Sequence, residues 1–384
     1  MKLGSLFDGS GGFPLAGALN GFTPVWASEI EPYPLRVTAA RFPNMKQLGD
    51  VTKIDGAAID PVDVITFGSP CQDLSVAGKQ TGIHAGKRSS LFFEAVRIIR
   101  EMRGITDGKY PRFAVWENVP GAFSSNKGED FRAVLQALCE VGGEAVPVPE
   151  PPKGKWAKAG CIVGDGYSIA WRVYDAQYWG VPQRRKRIYL VADFGSERAG
   201  EILFERESMR GDSAQGGEAR EGAAGDAAGG TGRIRVYDCR GNGDGCTVPN
   251  LTGDHENRVT DYTSVCVVNG QMHQTELCDR TGALNCMHDQ QAIIHNAKPP
   301  RRYIVRRLTP LECCRLQGFP DWWEDGANGS DSARYKMWGN GIALPCAADV
   351  MRRIAKECKI CTPLHNTALD LHGRRTYGNE TTCD

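Results

Sequence analysis

The chain has 384 residues, with 46 basic and 46 acidic side chains and 14 cysteines. That length suits two domains or one domain with a large insertion, and a balanced charge means that attraction to a polyanion must come from local clusters. No apolar run approaches the roughly 18 residues of a membrane span, no apolar leader is evident, and the cysteine spacing is too irregular for a disulfide framework, so a soluble protein of a reducing, cytosolic setting is expected.

Runs rich in Val, Ile and aromatics predict strands at 3–7, 25–28, 62–67, 113–117, 169–174 and 188–192. Between them, Leu91, Phe92, Ala95, Val96, Ile99 and Met102 recur on one helical face, as do Phe131, Val134, Leu135 and Leu138. The alternation predicts an α/β domain with a parallel sheet covered by helices on both faces. From 211 to 232, Gly and Ala supply 14 of 22 residues and large apolar groups are absent, which predicts a flexible linker. The stretch 235–296, rich in Gly, Asn, Asp, Thr and His, reads as a small, irregular, mostly β domain, and helical period returns at 310–317 and 347–354. No internal repeat is present.

The first predicted strand runs into FDGSGGF, residues 7–13. Its glycines permit a tight turn and a close backbone approach to a ligand, as in loops that hold adenosine-containing cofactors; the spacing is not GxGxxG, and a plain tight turn explains it equally well. Glu29, at the end of the second strand, stands where an acid binds ribose hydroxyls, and Asp50, after another short segment, where one takes an adenine amino group. Each alone reads as a solvated surface carboxylate; together they occupy successive strand ends, where open α/β sheets bind ligands.

In GSPCQDLSVAGKQTG, residues 68–82, Cys71 follows a proline just beyond an apolar run, on a loop and not inside the core. A thiolate is a strong nucleophile when its proton is removed, and Glu117 with Asn118, at the end of another strand, can bring a carboxyl group to it. QRRKR, residues 183–187, and the basic run 298–307 supply concentrated positive charge. Such runs are ordinarily solvated faces, but QRRKR precedes a strand and so can face the same edge. Cys358 and Cys361 have zinc-like internal spacing without a second ligand pair at the separation of a finger or ribbon, so no metal site is expected.

Taken in order, FDGSGGF, GSPCQDLSVAGKQTG, WENV (116–119), QRRKR, RLTPLECCRLQGFP (307–320) and YKMWGNGIALP (335–345) resemble the motifs of the cytosine-5 DNA methyltransferases. The resemblance spans most of 1–200 and 301–357. It implies a Rossmann-like, S-adenosylmethionine-dependent catalytic domain at 1–200 and a smaller, mostly β or irregular target-recognition domain at 201–300 with a flexible linker at 205–233. A C-terminal segment, 301–360, would return to the catalytic domain, and 361–384 would form a tail. By carry-over, Phe7 packs on the adenine, Gly9 and Gly11 meet the methionine end, Glu29 the ribose and Asp50 the adenine amino group, with Ile30, Val51, Pro70 and Asn340 completing the cofactor site.

Cys71 would add to carbon 6 of a flipped cytosine, Glu117 would act on ring nitrogen 3, Asn118 would support it, and Arg185 with Arg187 would hold the base and its phosphate. Gly78, Gly82 and Gly86 would let the loop close as a lid. RGNGDG (240–245) and GDHENR (253–258) are candidate base-reading loops. Two positions depart from the family pattern: Ser5, where an acid is often found, and Gly341, where Ser is common. The implied partner is double-stranded DNA, bound by a cytoplasmic monomer of bacterial or phage type, with or without a cognate restriction endonuclease. A tRNA cytosine methyltransferase would lack a use for the roughly 100-residue insertion, a silent DNA-binding protein for Cys71, Glu117 and Arg185, and a nicotinamide dehydrogenase for Cys71 and the arginines.

Overall fold

A computed structural model describes residues 1–70, 91–143, 147–204 and 308–359, together with the backbone of four short strands within 235–306. Eight strands form one sheet: β1 (Lys2–Leu6), β2 (Thr23–Ser28), β3 (Lys46–Gln47), β4 (Val64–Phe67), β5 (Phe113–Asn118), β6 (Ala159–Val163), β7 (Ser168–Asp175) and β8 (Lys186–Asp193). Their order is β3-β2-β1-β4-β5-β8-β7-β6.

The first five strands are parallel, as expected, but β8, β7 and β6 run antiparallel, which corrects the expectation of a parallel sheet. The links explain it. A parallel return needs a crossover of about a dozen residues, usually a helix, whereas β6 and β7 are joined by residues 164–167 and β7 and β8 by 176–185, which carry at most one short turn. All six predicted strands lie in this sheet; β3 and β6 were not predicted, β3 because two residues show no period and β6 because AGCIV lies exposed on the sheet edge in alternate positions.

Alternate residues of the central strands enter two cores. Leu3, Phe113, Val115, Tyr189 and Val191 join the first, and Leu6, Ala114, Trp116, Ile188 and Leu190 the second. On the second face lie α3 (Leu91–Ile105) and α4 (Glu129–Gly142), whose buried residues include the two predicted stripes except Leu91, which is half-buried. On the first lie α1 (Gly12–Ala18), α2 (Pro32–Arg41) and α5 (Ala199–Phe204), joined by three helices of the C-terminal segment: α6 (Pro310–Leu316), α7 (Asp331–Asn340) and α8 (Leu344–Glu357). Residues 308–357 therefore lie against the first domain of the chain, with the Tyr33 hydroxyl donating to Glu324 at 2.7 Å and the Arg41 guanidinium to the carbonyls of Trp322 and Trp323. Local sequence starts these helices: Thr309 and Glu312 form a reciprocal capping box, and Ser330 accepts from the Ala333 amide.

Four strands within 235–306 pair as two antiparallel ribbons, β9 (Arg235–Asp238) with β10 (Thr263–Cys266) and β11 (Ile293–Asn296) with β12 (Tyr303–Arg306). The expected linker, both candidate base-reading loops and the tail lie outside the described residues.

Candidate active site

Strand register builds the site. Leu6 is level with Ser28 of β2 and Phe67 of β4, and Phe67 with Trp116 of β5. One residue further along, Glu29, Phe7, Gly68 and Glu117 therefore stand in a row at the carboxyl edge of the parallel strands. The antiparallel partner of Glu117 is Tyr189 on β8, which brings Arg187, two residues earlier on the same face, to the same edge.

At the cofactor end of this row the chain leaves β1 through Phe7, whose φ of 55° is a left-handed conformation that a bulky side chain rarely adopts. Gly9 and Gly11 continue with φ of 54° and 78°. A Cβ on Gly9 would meet nothing nearer than the Phe7 carbonyl at 4.0 Å, so the loop has an open side, whereas Cβ atoms on Gly11 and Gly12 would strike Thr38 at 2.9 Å and Ile342 at 2.4 Å. The glycines thus serve two ends: one side is free for a ligand, and the other lets α2 and the C-terminal segment close in.

Glu29 holds the loop. Its Oε2 accepts the Gly9 amide at 2.7 Å, and its Oε1 accepts the amides of Ile30 and Glu31 at 2.7 and 2.9 Å. Ile30 is exposed beside it, an apolar surface against which a flat ring can lie. Asp50 caps the turn Val51–Lys53, accepting the Thr52 amide at 3.0 Å and its hydroxyl at 2.8 Å, bonds that hold its carboxyl below the usual range. Val51 is buried under that turn, Pro70 is exposed at the end of the described strand-to-loop segment, and Asn340 is exposed at the last position of α7. An open glycine cradle, a carboxylate and an exposed aliphatic side chain suit a nucleoside with a polar tail, so these residues fit S-adenosylmethionine.

At the other end, Glu117 is buried and its Oε1 lies 3.1 Å from Arg187 Nε, with only about a tenth of either side chain exposed. Its other oxygen stands over Gly68, whose missing side chain leaves room for it: a Cβ there would lie 3.5 Å away. Asn118 donates to the Ser69 carbonyl at 3.0 Å and accepts the Val119 amide at 2.7 Å, while the Trp116 indole donates to the Ser69 hydroxyl at 3.1 Å. Two side chains of β5 therefore clamp Ser69, two positions before Cys71. Cys71 and the three lid glycines lie outside the described residues.

QRRKR alternates as a strand should: Gln183, Arg185 and Arg187 are buried, while Arg184 is half-buried and Lys186 exposed. The Arg185 guanidinium reaches the carbonyls of Gly339 and Gly341, and its amide donates to Asp175 at 3.1 Å. Burial, with Arg187 beside it, pulls the Arg185 pKa down to about 9. The structure thus brings Arg187 to Glu117 directly, while Arg185 joins the hairpin to the segment that carries Asn340. Sequence reasoning missed Ser69, Asp175 and Asp8. The first two act through partners on other strands and left no local signal; Asp8 did leave one, an acid inside a glycine loop.

Among the described residues, no group of three or more His, Cys, Asp or Glu is arranged to hold a metal ion, and no helix is long and apolar enough to cross a membrane.

The family model for C-5 cytosine-specific DNA methylases matches residues 1–145, 163–219 and 231–357. The chain is 26% identical over 383 residues to the type II methyltransferase M.HpaII of Haemophilus parainfluenzae, covering 92% of this chain and 88% of that protein. It is 27% identical over 364 residues to the type II methyltransferase M1.ScrFI of Lactococcus lactis subsp. cremoris, covering 93% and 79%. A DNA N-6-adenine-methyltransferase of Escherichia phage P1 is 34% identical over 231 residues, 54% of this chain, and the chain spans only 30% of that protein. In fold, the S. pombe Dnmt2 methyltransferase superposes with a TM-score of 0.56 at 16% identity, over 94% of this chain and 99% of that one. With its model matching most of the length, the chain belongs to the C-5 cytosine-specific DNA methylases, which draw their methyl group from S-adenosylmethionine.

Proposed function

We propose that this protein methylates carbon 5 of a cytosine in a short duplex DNA site, through a covalent adduct between Cys71 and the base. The observation that carries the reading is the pairing of Glu117 with Arg187, next to a Ser69 clamped by Asn118 and Trp116 two residues before Cys71. Carbon 5 of cytosine is a poor nucleophile. Addition of the Cys71 thiolate to carbon 6 opens the carbon 5–carbon 6 double bond, and the electron pair moves toward carbon 5 and ring nitrogen 3. Glu117 stabilises that charge by a hydrogen bond or proton at nitrogen 3, and Arg187 fixes the direction of its carboxyl group.

The cofactor, when bound, supplies an electrophilic methyl group. After transfer a base takes the proton from carbon 5, the electron pair re-forms the double bond, and the thiolate leaves. Carbon 6 is stacked inside a duplex, so the cytosine is flipped out, and the loop after Cys71 closes over it. Phe7, Gly9, Gly11, Glu29, Ile30, Asp50, Val51, Pro70 and Asn340 hold the cofactor, and Arg185 keeps the Asn340 turn against the catalytic strands.

Residues 201–300 read the target sequence in the major groove. The protein acts as a monomer in a bacterial cell, as the modifying half of a restriction system or alone in a phage. The bacterial type II methyltransferases among its relatives support the restriction-system role, and the relative from Escherichia phage P1 supports a phage setting.

Bisulfite sequencing of genomic DNA from methylation-free bacteria expressing the chain or Cys71→Ala tests the reading. Protected cytosines in one short context, present only with the intact cysteine, are expected. Full conversion in both strains, with soluble protein and unmodified tRNA, overturns it; protection on tRNA alone moves the substrate to RNA.

A further inference from the structure

Residues 146–162, VPVPEPPKGKWAKAGCI, lie between the stretches 1–145 and 163–219 that the family model matches, so they belong to this chain and not to the family's common pattern. In a chain of zero net charge they carry three lysines, Lys153, Lys155 and Lys158, against one acid, Glu150. Part of the segment serves the fold. Trp156 is buried; its amide donates to the Phe123 carbonyl at 3.1 Å, its indole to the Gly128 carbonyl at 2.8 Å, and its ring meets Phe131 and Trp171 edge-on. The Trp171 indole in turn donates to the Ala157 carbonyl at 3.1 Å. The lysines on either side of Trp156 are exposed on this fastened backbone, and among the described residues none of them forms an ion pair. Glu129, the acid next to Gly128, pairs with Arg132 at 3.3 Å.

Strand register sets these lysines at the edge where Glu117 stands. Asn118 is opposite Ile188 of β8, Ile188 is opposite Val173 of β7, and the Val173 amide donates to the Lys158 carbonyl at 2.9 Å. Lys158 is therefore level with Asn118 and three strand spacings from it, about 14 Å, or roughly four base pairs of duplex. Lys127 extends the patch: it is exposed on the turn that follows β5, and a Cβ on Gly154 would meet it at 3.5 Å. Lys127 and Lys153 both take left-handed backbone, with φ of 53° and 55°, which a non-glycine residue holds only where its surroundings fix it.

We infer that Lys127, Lys153, Lys155 and Lys158 form a shoulder that grips the phosphate backbone of the duplex beside the target cytosine, outside residues 201–300. This rests on the reading of the protein as a duplex-DNA methyltransferase. Four ammonium groups on one patch, without acids to pair them, repel one another and gain most from a polyanion. Phosphate contacts fix position and register without reading sequence, so the shoulder adds the same affinity at every site.

The test is duplex binding, by fluorescence anisotropy with S-adenosylhomocysteine present, of a chain combining Lys153→Gln, Lys155→Gln and Lys158→Gln. On a duplex of about 30 base pairs over about 0.05–0.3 M salt, the slope of log affinity against log salt should be shallower than wild type by about two to three, with affinity at about 0.1 M lower by about 10- to 100-fold. The loss should be equal for duplexes of unrelated sequence, and a chain with Arg at the same three positions should bind as wild type does. Because all three side chains are exposed, melting temperature and S-adenosylhomocysteine affinity should not move, which excludes misfolding. An unchanged slope, a loss confined to one sequence, or a loss that Arg does not prevent overturns the shoulder. A shallower slope on tRNA with none on duplex assigns the patch to RNA and overturns it too. A wild-type chain that binds no duplex overturns the duplex-DNA reading itself, a failure distinct from that of the patch.

Discussion

Glu117 and Arg187 form the buried pair on which the proposed chemistry turns, and removing either member has a separable effect. Glu117→Gln keeps the shape but not the charge; it should lower kcat about 100- to 1000-fold while S-adenosylhomocysteine affinity is retained, as single-turnover methylation and calorimetry would show. Arg187→Ala strands a buried carboxylate and should cost about 3 kcal/mol, read from chemical denaturation. Asp8 makes the pH prediction. Its folded pKa of about 8 lies above the ordinary 3.8, so its contribution to stability is complete at low pH and is lost as pH rises through the folded value. The melting temperature of Asp8→Asn relative to wild type should therefore climb between about pH 4 and pH 8 and level off above that. Glu29 and Glu117 were legible in the sequence because each stands at the end of a predicted strand, Glu117 also within a motif. Ser69 was not, because its significance lies in two donors from a strand nearly fifty residues away.

At the scale of elements, the site depends on close approach of backbones. Gly12 opens α1 where a Cβ would lie 2.4 Å from Ile342, and Ile342 lies on the turn into α8 just after Asn340. Gly12→Ala should push α8 away from the glycine loop, costing about 1–3 kcal/mol in denaturant unfolding and weakening cofactor binding with it. Helices were legible from their stripes: of the positions that repeat on one face in the sequence, α3 buries Phe92, Ala95, Val96, Ile99 and Met102, and Leu91 at its start is half-buried. Strand direction was not. The apolar run of β8 reads alike in a parallel or an antiparallel sheet, and what reverses it is a hairpin too short for a crossover helix. That reversal sets Tyr189 opposite Glu117 and carries Arg187 to the edge where Glu117 stands.

For the whole molecule, the segment 308–357 covers the first face of the sheet and is fastened by a buried cluster in which Glu324 accepts from Tyr33 at 2.7 Å and pairs with Arg334 at 3.0 Å. Glu324→Ala should cost about 3 kcal/mol by denaturation, through the loss of the shared acceptor. A chain ending before residue 308 would leave Leu15, Ala16 and Val37 facing water, so it should elute as aggregate in size-exclusion chromatography. With 46 charges of each sign, the protein should bind DNA only through local basic groups, and the slope of log affinity against log salt should report a handful of phosphate contacts and not a broad field.

The family, the methyl donor and the reaction class were legible in the sequence alone through the resemblance of its ordered motifs, because each motif is a contiguous run: glycines where a backbone must approach a ligand, an acid at a strand end, arginines at alternate positions. Tertiary structure alone decided which side chains meet. Glu117 finds Arg187 and Gly68, Asn118 finds Ser69, and Gly341 accepts from Arg185, through register and hairpin reversal across separations of about fifty to more than one hundred and fifty residues. The orphaned oxygen of Asp8 belongs with them, since whether a polar atom has a partner is settled by everything folded around it.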